Sequence, residues 1–117
     1  TYLNPQKTMD PSAEEVHGLS NDFLKDQPLF KEIASEFLEF ISDSPLIIHN
    51  AEFDIGFLNS ELKRLDLTEI NMDQAIDTLK IARDMYPGAQ NSLDALCRRF
   101  DINNYDIIYF SIYWLFW

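Results

Sequence analysis

Two side chains with chemistry to offer lie five residues apart in the stretch Leu46 to Leu58, LIIHNAEFDIGFL. They are the imidazole of His49 and the carboxylate of Asp54, with the amide of Asn50 between them. A carboxylate is a hard oxygen donor of the kind divalent cations take. An imidazole can accept a proton from a reacting group. Each residue also has a plainer explanation. An acid in a first helical turn is favoured by the helix dipole, by roughly 0.3–1 kcal/mol. A histidine that closes a strand often does no more than satisfy a hydrogen bond.

The elements that must position these groups are legible around them. Leu46, Ile47 and Ile48 follow the turn signal Ser44-Pro45 and form a short, β-branched apolar run, which predicts a buried strand over Leu46–His49. Asn50 carries a side-chain oxygen suited to capping a helix. Beyond it, Phe53, Phe57, Leu58, Leu62 and Leu65 recur at helical spacing, predicting a helix over Ala51–Leu65 with Phe57 in the core. Asp54 then falls in the first turn, at the rim of a cleft near the strand's carboxyl end. Open α/β sheets build their sites at that edge.

The rest of the chain supplies the frame. Tyr2-Leu3 reads as the end of a strand, and Gln6 to Asn21 as a loop with a turn at Pro11. The loop holds Val16-His17-Gly18-Leu19, in which His17 on its own is a turn histidine. Asp22-Phe23-Leu24 suggests a helical turn. Asp26 or Gln27 is the expected cap of a helix over Pro28–Ile41, with Pro28 in its first turn. Phe30, Ile33, Ala34, Phe37, Leu38 and Ile41 form its apolar stripe, and Glu32, Glu36 and Glu39 its wet face. Leu67 to Asp73 is a polar connection. Ala75-Ile76-Asp77-Thr78 reads as a short strand whose end caps a helix over Leu79–Met85, stopped by Pro87-Gly88. A last helix over Ser92–Phe100 carries Leu93, Leu96, Cys97 and Phe100 on one face, which makes Cys97 a core thiol. Strand–helix–strand–helix alternation argues for an α/β fold.

Composition sets bounds. The 117 residues suffice for one modest domain, and 46% hydrophobic content excludes a disordered chain. The net charge is −11, with −6 on residues 1–50 and −5 on residues 51–117. No basic half exists, so the electrostatic footprint of a free-standing nucleic-acid binder is missing. Bound divalent metals would invert the local charge logic of a site. Cys97 is the only cysteine, which rules out an internal disulfide and suits a cytoplasmic protein. No apolar run reaches the ~18 residues of a membrane span, and no signal peptide is present. The chain opens on Thr1, so we expect its natural start to be missing.

The string His49-Asn50-x-x-Phe53-Asp54, set between a strand and an amphipathic helix, resembles the second motif of the DnaQ-like (DEDDh) 3′→5′ exonucleases. His17-Gly18-Leu19, Asp77-Thr78-Leu79 and Asn91-Ser92-Leu93-Asp94-Ala95-Leu96-Cys97 resemble the same family in the same order. The resemblance covers residues 1–103 and is strongest to the members that proofread for bacterial DNA polymerase III. It implies a ribonuclease H-like α/β fold and metal-dependent removal of 3′ nucleotides. Asp54 would be a catalytic carboxylate and a ligand to Mg²⁺ or Mn²⁺. His17, His49 and Asn50 would contact substrate. The implied partners are a single-stranded DNA 3′ end and the catalytic subunit of DNA polymerase III.

The chain departs from that pattern in three places. The family's first motif, Asp-x-Glu, occurs nowhere in it, and Ser12 stands where the family member compared carries Glu. The final motif, His-x-Ala-x-x-Asp, should follow Ile102-Asn103-Asn104. In its place stands a tail, 104–117, in which seven of fourteen residues are aromatic. We therefore expect a partial domain over 1–103, lacking its first strands and last helix, with an aberrant aromatic tail over 104–117. One carboxylate cannot hold the two ions that such hydrolysis uses, so the chain is expected to be inactive. The alternative is a non-catalytic acidic module that binds a polymerase subunit.

Overall fold

The computed structural model describes residues 2–11, 14, 15 and 18–103. After a helical stretch at Pro11, Glu14 and Glu15 come helices α1 (Asn21–Lys25) and α2 (Phe30–Ile41). Strand β1 (Leu46–Ile48), helix α3 (Ala51–Arg64) and a 3-10 turn (Met72–Gln74) follow. Strand β2 (Ala75–Asp77), α4 (Thr78–Met85) and α5 (Leu93–Arg99) complete the order. The two strands pair in parallel, Leu46 with Ala75, Ile47 with Ile76 and Ile48 with Asp77. This is the α/β architecture expected from the alternation of elements. No helix among the described residues is long and apolar enough to cross a membrane.

The core lies between α2 and α3 and against one face of the strand pair. Ala34 and Ile41 of α2 meet Ala51, Ile55, Leu58 and Leu62 of α3, with Ile70 from the following connection. The α3 residues recur at i, i+4, i+7 and i+11, one stripe of a 3.6-residue helix. Ile70 reaches the core because Asn59 brackets its backbone, donating to its carbonyl at 2.9 Å and accepting its N–H at 2.7 Å. Leu67 to Asp73 is thus an anchored connection, not only a polar one.

Several expectations need correction. Tyr2-Leu3 is not in a strand; Leu3 is buried, and the next residue, Asn4, donates its N–H to the Pro28 carbonyl. The Gln6 to Asn21 stretch is not all loop, since Pro11, Glu14 and Glu15 are helical. Helix α2 starts at Phe30, not Pro28, and neither Asp26 nor Gln27 caps it. Leu29 is extended, and its N–H is taken at 2.6 Å by the Glu32 carboxylate. β1 is half-buried on one face and open on the other: Leu46 and Ile48 are partly covered, while Ile47 is 73% exposed beside its partner Ile76, 43% exposed. Phe57 is not core. It is 38% exposed and packs edge-to-face on Phe53 with ring centroids 4.7 Å apart, while Ile55 takes the buried position. Cys97 is buried as expected, whereas Leu93 and Phe100 of the same stripe stay partly exposed.

Candidate functional site

The parallel register sets the carboxyl ends of β1 and β2 side by side, with Ile48 opposite Asp77. Each strand then runs into a helix, β1 through the turn His49-Asn50 and β2 directly. Asn50 occupies the left-handed region at φ 69°, where asparagine is one of the few tolerated residues with a Cβ. Its side chain makes no capping hydrogen bond, contrary to expectation. The capping acceptor comes from the other strand. Asp77 Oδ1 accepts the Asn50 N–H at 3.0 Å and Oδ2 accepts the Ala51 N–H at 3.2 Å. Asp77 also caps its own helix, as expected, accepting the Leu79 N–H at 2.9 Å.

His49 is held from the same place. Its Nδ1 lies 3.0 Å from Thr78 Oγ1, and that hydroxyl donates to the Ile48 carbonyl at 3.4 Å. Through these two contacts the Thr78 hydroxyl links the His49 ring to the end of β1.

Asp54 sits in the first turn of α3 and is buried at 5% exposure, where the sequence leads us to expect a more open position. Burial pushes its carboxyl above the usual value of 3.8. Its own backbone N–H and the nearby His49 pull the other way, while the charge of Asp77 adds to the rise. Asp77 moves oppositely. Burial works against its ionisation, but the amides of Asn50, Leu79, Ala51 and Lys80 outweigh it and hold the carboxyl below 3.8. Two carboxylates at one strand edge are therefore driven apart in pKa by their surroundings, a pattern typical of functional sites.

The structure brings His49, Asn50 and Asp54 together around one strand–helix junction. His17 lies outside the described residues, as does the tail 104–117. Asp54 gives one hard oxygen donor. Among the described residues no group of three or more His, Cys, Asp or Glu side chains is placed to hold a metal ion. The described donor set does not fit a two-ion centre. Sequence reading found Asp77 as the cap of its own helix and in the string Asp77-Thr78-Leu79, not as a partner of the turn after β1. Its bonds to Asn50 and Ala51 span 27 and 26 residues and depend on strand register, which no local pattern announces.

A strand–turn–helix edge carrying these motifs defines a class, and the match to known proteins agrees. The exonuclease family model matches residues 1–106, and the chain belongs to that family, in its DnaQ-like branch. It is similar to the DNA polymerase III subunit epsilon of Rickettsia prowazekii (strain Madrid E), at 58% identity over 106 residues. The match covers 88% of this chain and 46% of that protein. The DNA polymerase III subunit epsilon of Pasteurella multocida (strain Pm70) is 48% identical, with 88% and 42% covered. Among solved structures, exonuclease X in complex with 5′ overhanging duplex DNA aligns with a TM-score of 0.59 at 25% identity. That alignment covers 86% of this chain and 53% of the other. The chain spans less than half the length of the two epsilon subunits.

Proposed function

We propose that residues 1–103 are the middle segment of a metal-dependent 3′→5′ DNA exonuclease domain. The whole protein would be the proofreading subunit of a bacterial DNA polymerase III. The observation that carries this reading is the His49-Asn50-x-x-Phe53-Asp54 junction at the carboxyl edge of parallel strands, in a chain 58% identical to an epsilon subunit. In the whole domain Asp54 is a ligand to Mg²⁺ or Mn²⁺, and His17, His49 and Asn50 contact the 3′ end of single-stranded DNA. Such an ion pair supplies charge stabilisation to the attacking and leaving oxygens. The 117 residues contain no Asp-x-Glu, and their His-x-Ala-x-x-Asp string, His49 to Asp54, follows a strand upstream of Asn91 to Cys97 and serves as the second motif. With no such string after Asn104, this chain by itself lacks activity.

The experiment restores what is missing. Adding an Asp-x-Glu strand before Thr1 and a His-x-Ala-x-x-Asp helix after Asn104 should yield exonuclease activity that requires Mg²⁺ or Mn²⁺ and is lost in Asp54→Asn. Activity that survives Asp54→Asn would reduce Asp54 to an acid at a helix start.

The tail 104–117 is foreign to this domain. Residues 107–117 combine high β-propensity, aromatic side chains and no charge, the composition of an aggregating segment. Deleting 104–117 should raise soluble yield; an unchanged or lower yield would count against a foreign tail. A second reading, a non-catalytic module that binds a polymerase subunit, draws on the net charge of −11 and on the lack, among the described residues, of a group of three or more side chains placed to hold a metal. Partner binding by the restored chain without nuclease activity would favour it.

A further inference from the structure

We infer that Asp77 is a positioning residue. Its carboxylate, at the end of β2, fixes the turn at Asn50-Ala51 and with it the first helical turn that carries Asp54. Helix α3 begins with amides that have no partner within the helix, and the side chain at its own cap position supplies none. The acceptor is delivered across the sheet. Oδ1 takes Asn50 and Leu79, Oδ2 takes Ala51, and one carboxylate thereby ties the starts of two helices together. The next residue, Thr78, holds His49 through its hydroxyl. Two consecutive residues leaving β2 thus hold three consecutive residues leaving β1.

The geometry has a consequence for the turn itself. Asn50 stands in a left-handed conformation that costs free energy for a residue with a Cβ. Charge-assisted bonds from its N–H and the next one hold the turn in that shape. Their carboxylate stays ionised across the neutral range because its donors favour the charged form. The strand register, which pairs Ile48 with Asp77, is what makes the bonds possible. The relevance of the clamp to substrate rests on the reading of His49 and Asn50 given above; the clamp itself does not.

Amide hydrogen exchange on the 117-residue chain, read by NMR, separates the two oxygens. Asp77→Ala should speed exchange at Asn50, Ala51 and Leu79 by roughly five-fold, the effect of losing a typical cap. Leu58 and Leu62, deep in α3, should keep their protection. Asp77→Asn keeps one carbonyl oxygen, so it should spare Asn50 and Leu79 and expose Ala51 alone. Unchanged exchange at Asn50 and Ala51 in Asp77→Ala would overturn the assignment. If Asp77→Ala loosens the whole domain, Asp77→Asn decides: an equal change at all three amides also overturns it. In a second arm, a single-stranded oligodeoxynucleotide is titrated into the wild-type chain and Asp77→Asn. Shifts at His49 and Asn50 that weaken in the variant support the positioning role, and equal shifts in both oppose it. No shift in the wild type would count against the substrate reading, while the exchange arm still decides the clamp.

Discussion

Nδ1 of His49 and Oγ1 of Thr78 lie 3.0 Å apart, joining residues that are 29 positions apart in the chain. The contact exists because parallel pairing places the first residue after β1 near the first residue after β2. The hydroxyl bridges onward to the Ile48 carbonyl, so it ties the ring at Nδ1 to the end of β1. Thr78→Val keeps the side chain's shape and removes the bridge. It should cost about 0.5–1.5 kcal/mol, the net worth of an ordinary hydrogen bond. Chemical denaturation measures this, and NMR of the His49 ring should show a new environment. An unchanged midpoint with an unchanged ring signal would mean the contact holds nothing.

The burial of Asp54 sets a prediction of opposite sign to most site mutations. Its folded pKa is raised above the unfolded value near 3.8, so the fold prefers the protonated form. The penalty for its charge grows as pH rises past the unfolded value and is complete above the folded one. Asp54→Asn removes that penalty. The variant should therefore melt at a higher temperature than wild type at neutral pH, and the gain should vanish well below pH 3.8. A lower melting temperature at neutral pH would show that the Asp54 charge is stabilising.

Asp77 shows the reverse dependence. Its folded pKa is depressed, so its contribution is present above the unfolded value and is lost as pH falls through the folded one. Acid titration of wild type and Asp77→Asn should show a loss of stability below about pH 3.8 that the variant lacks. Parallel curves for the two proteins would contradict it.

Packing separates two residues of α3 that helical spacing alone confuses. Ile55 is fully buried, whereas Phe57 is partly exposed on Phe53. Ile55→Ala should destabilise by about 2–5 kcal/mol. Phe57→Ala should cost only about 1–2 kcal/mol, since the ring already keeps much of its surface in water. Equal losses, measured by urea denaturation, would place Phe57 in the core after all.

What the sequence made legible follows from range. The β1–α3 junction, the second strand and the Asn91-Ser92 helix start announce themselves through local periodicity, caps and motif strings. All appear within a residue or two of their expected bounds. The failures involve contacts between distant segments. Helix spacing allowed Phe53 and Phe57 as the core face because both are large and apolar. Only packing against α2 and Ile70 selects Ala51, Ile55, Leu58 and Leu62 instead. Asn50 has the composition of a cap, but its left-handed backbone hands that task to Asp77. The strand's open face was invisible too, because an apolar triplet reads the same whether one face or both are covered.

The central claim is that this chain carries the middle of an exonuclease site and, alone, cannot complete it. The direct measurement is release of 3′ nucleotides from end-labelled single-stranded DNA by the purified 117-residue chain, with Mg²⁺ or Mn²⁺ present, before and after EDTA. No EDTA-sensitive release is expected. EDTA-sensitive release that Asp54→Asn abolishes would contradict the claim and mean that other carboxylates of this chain complete the site.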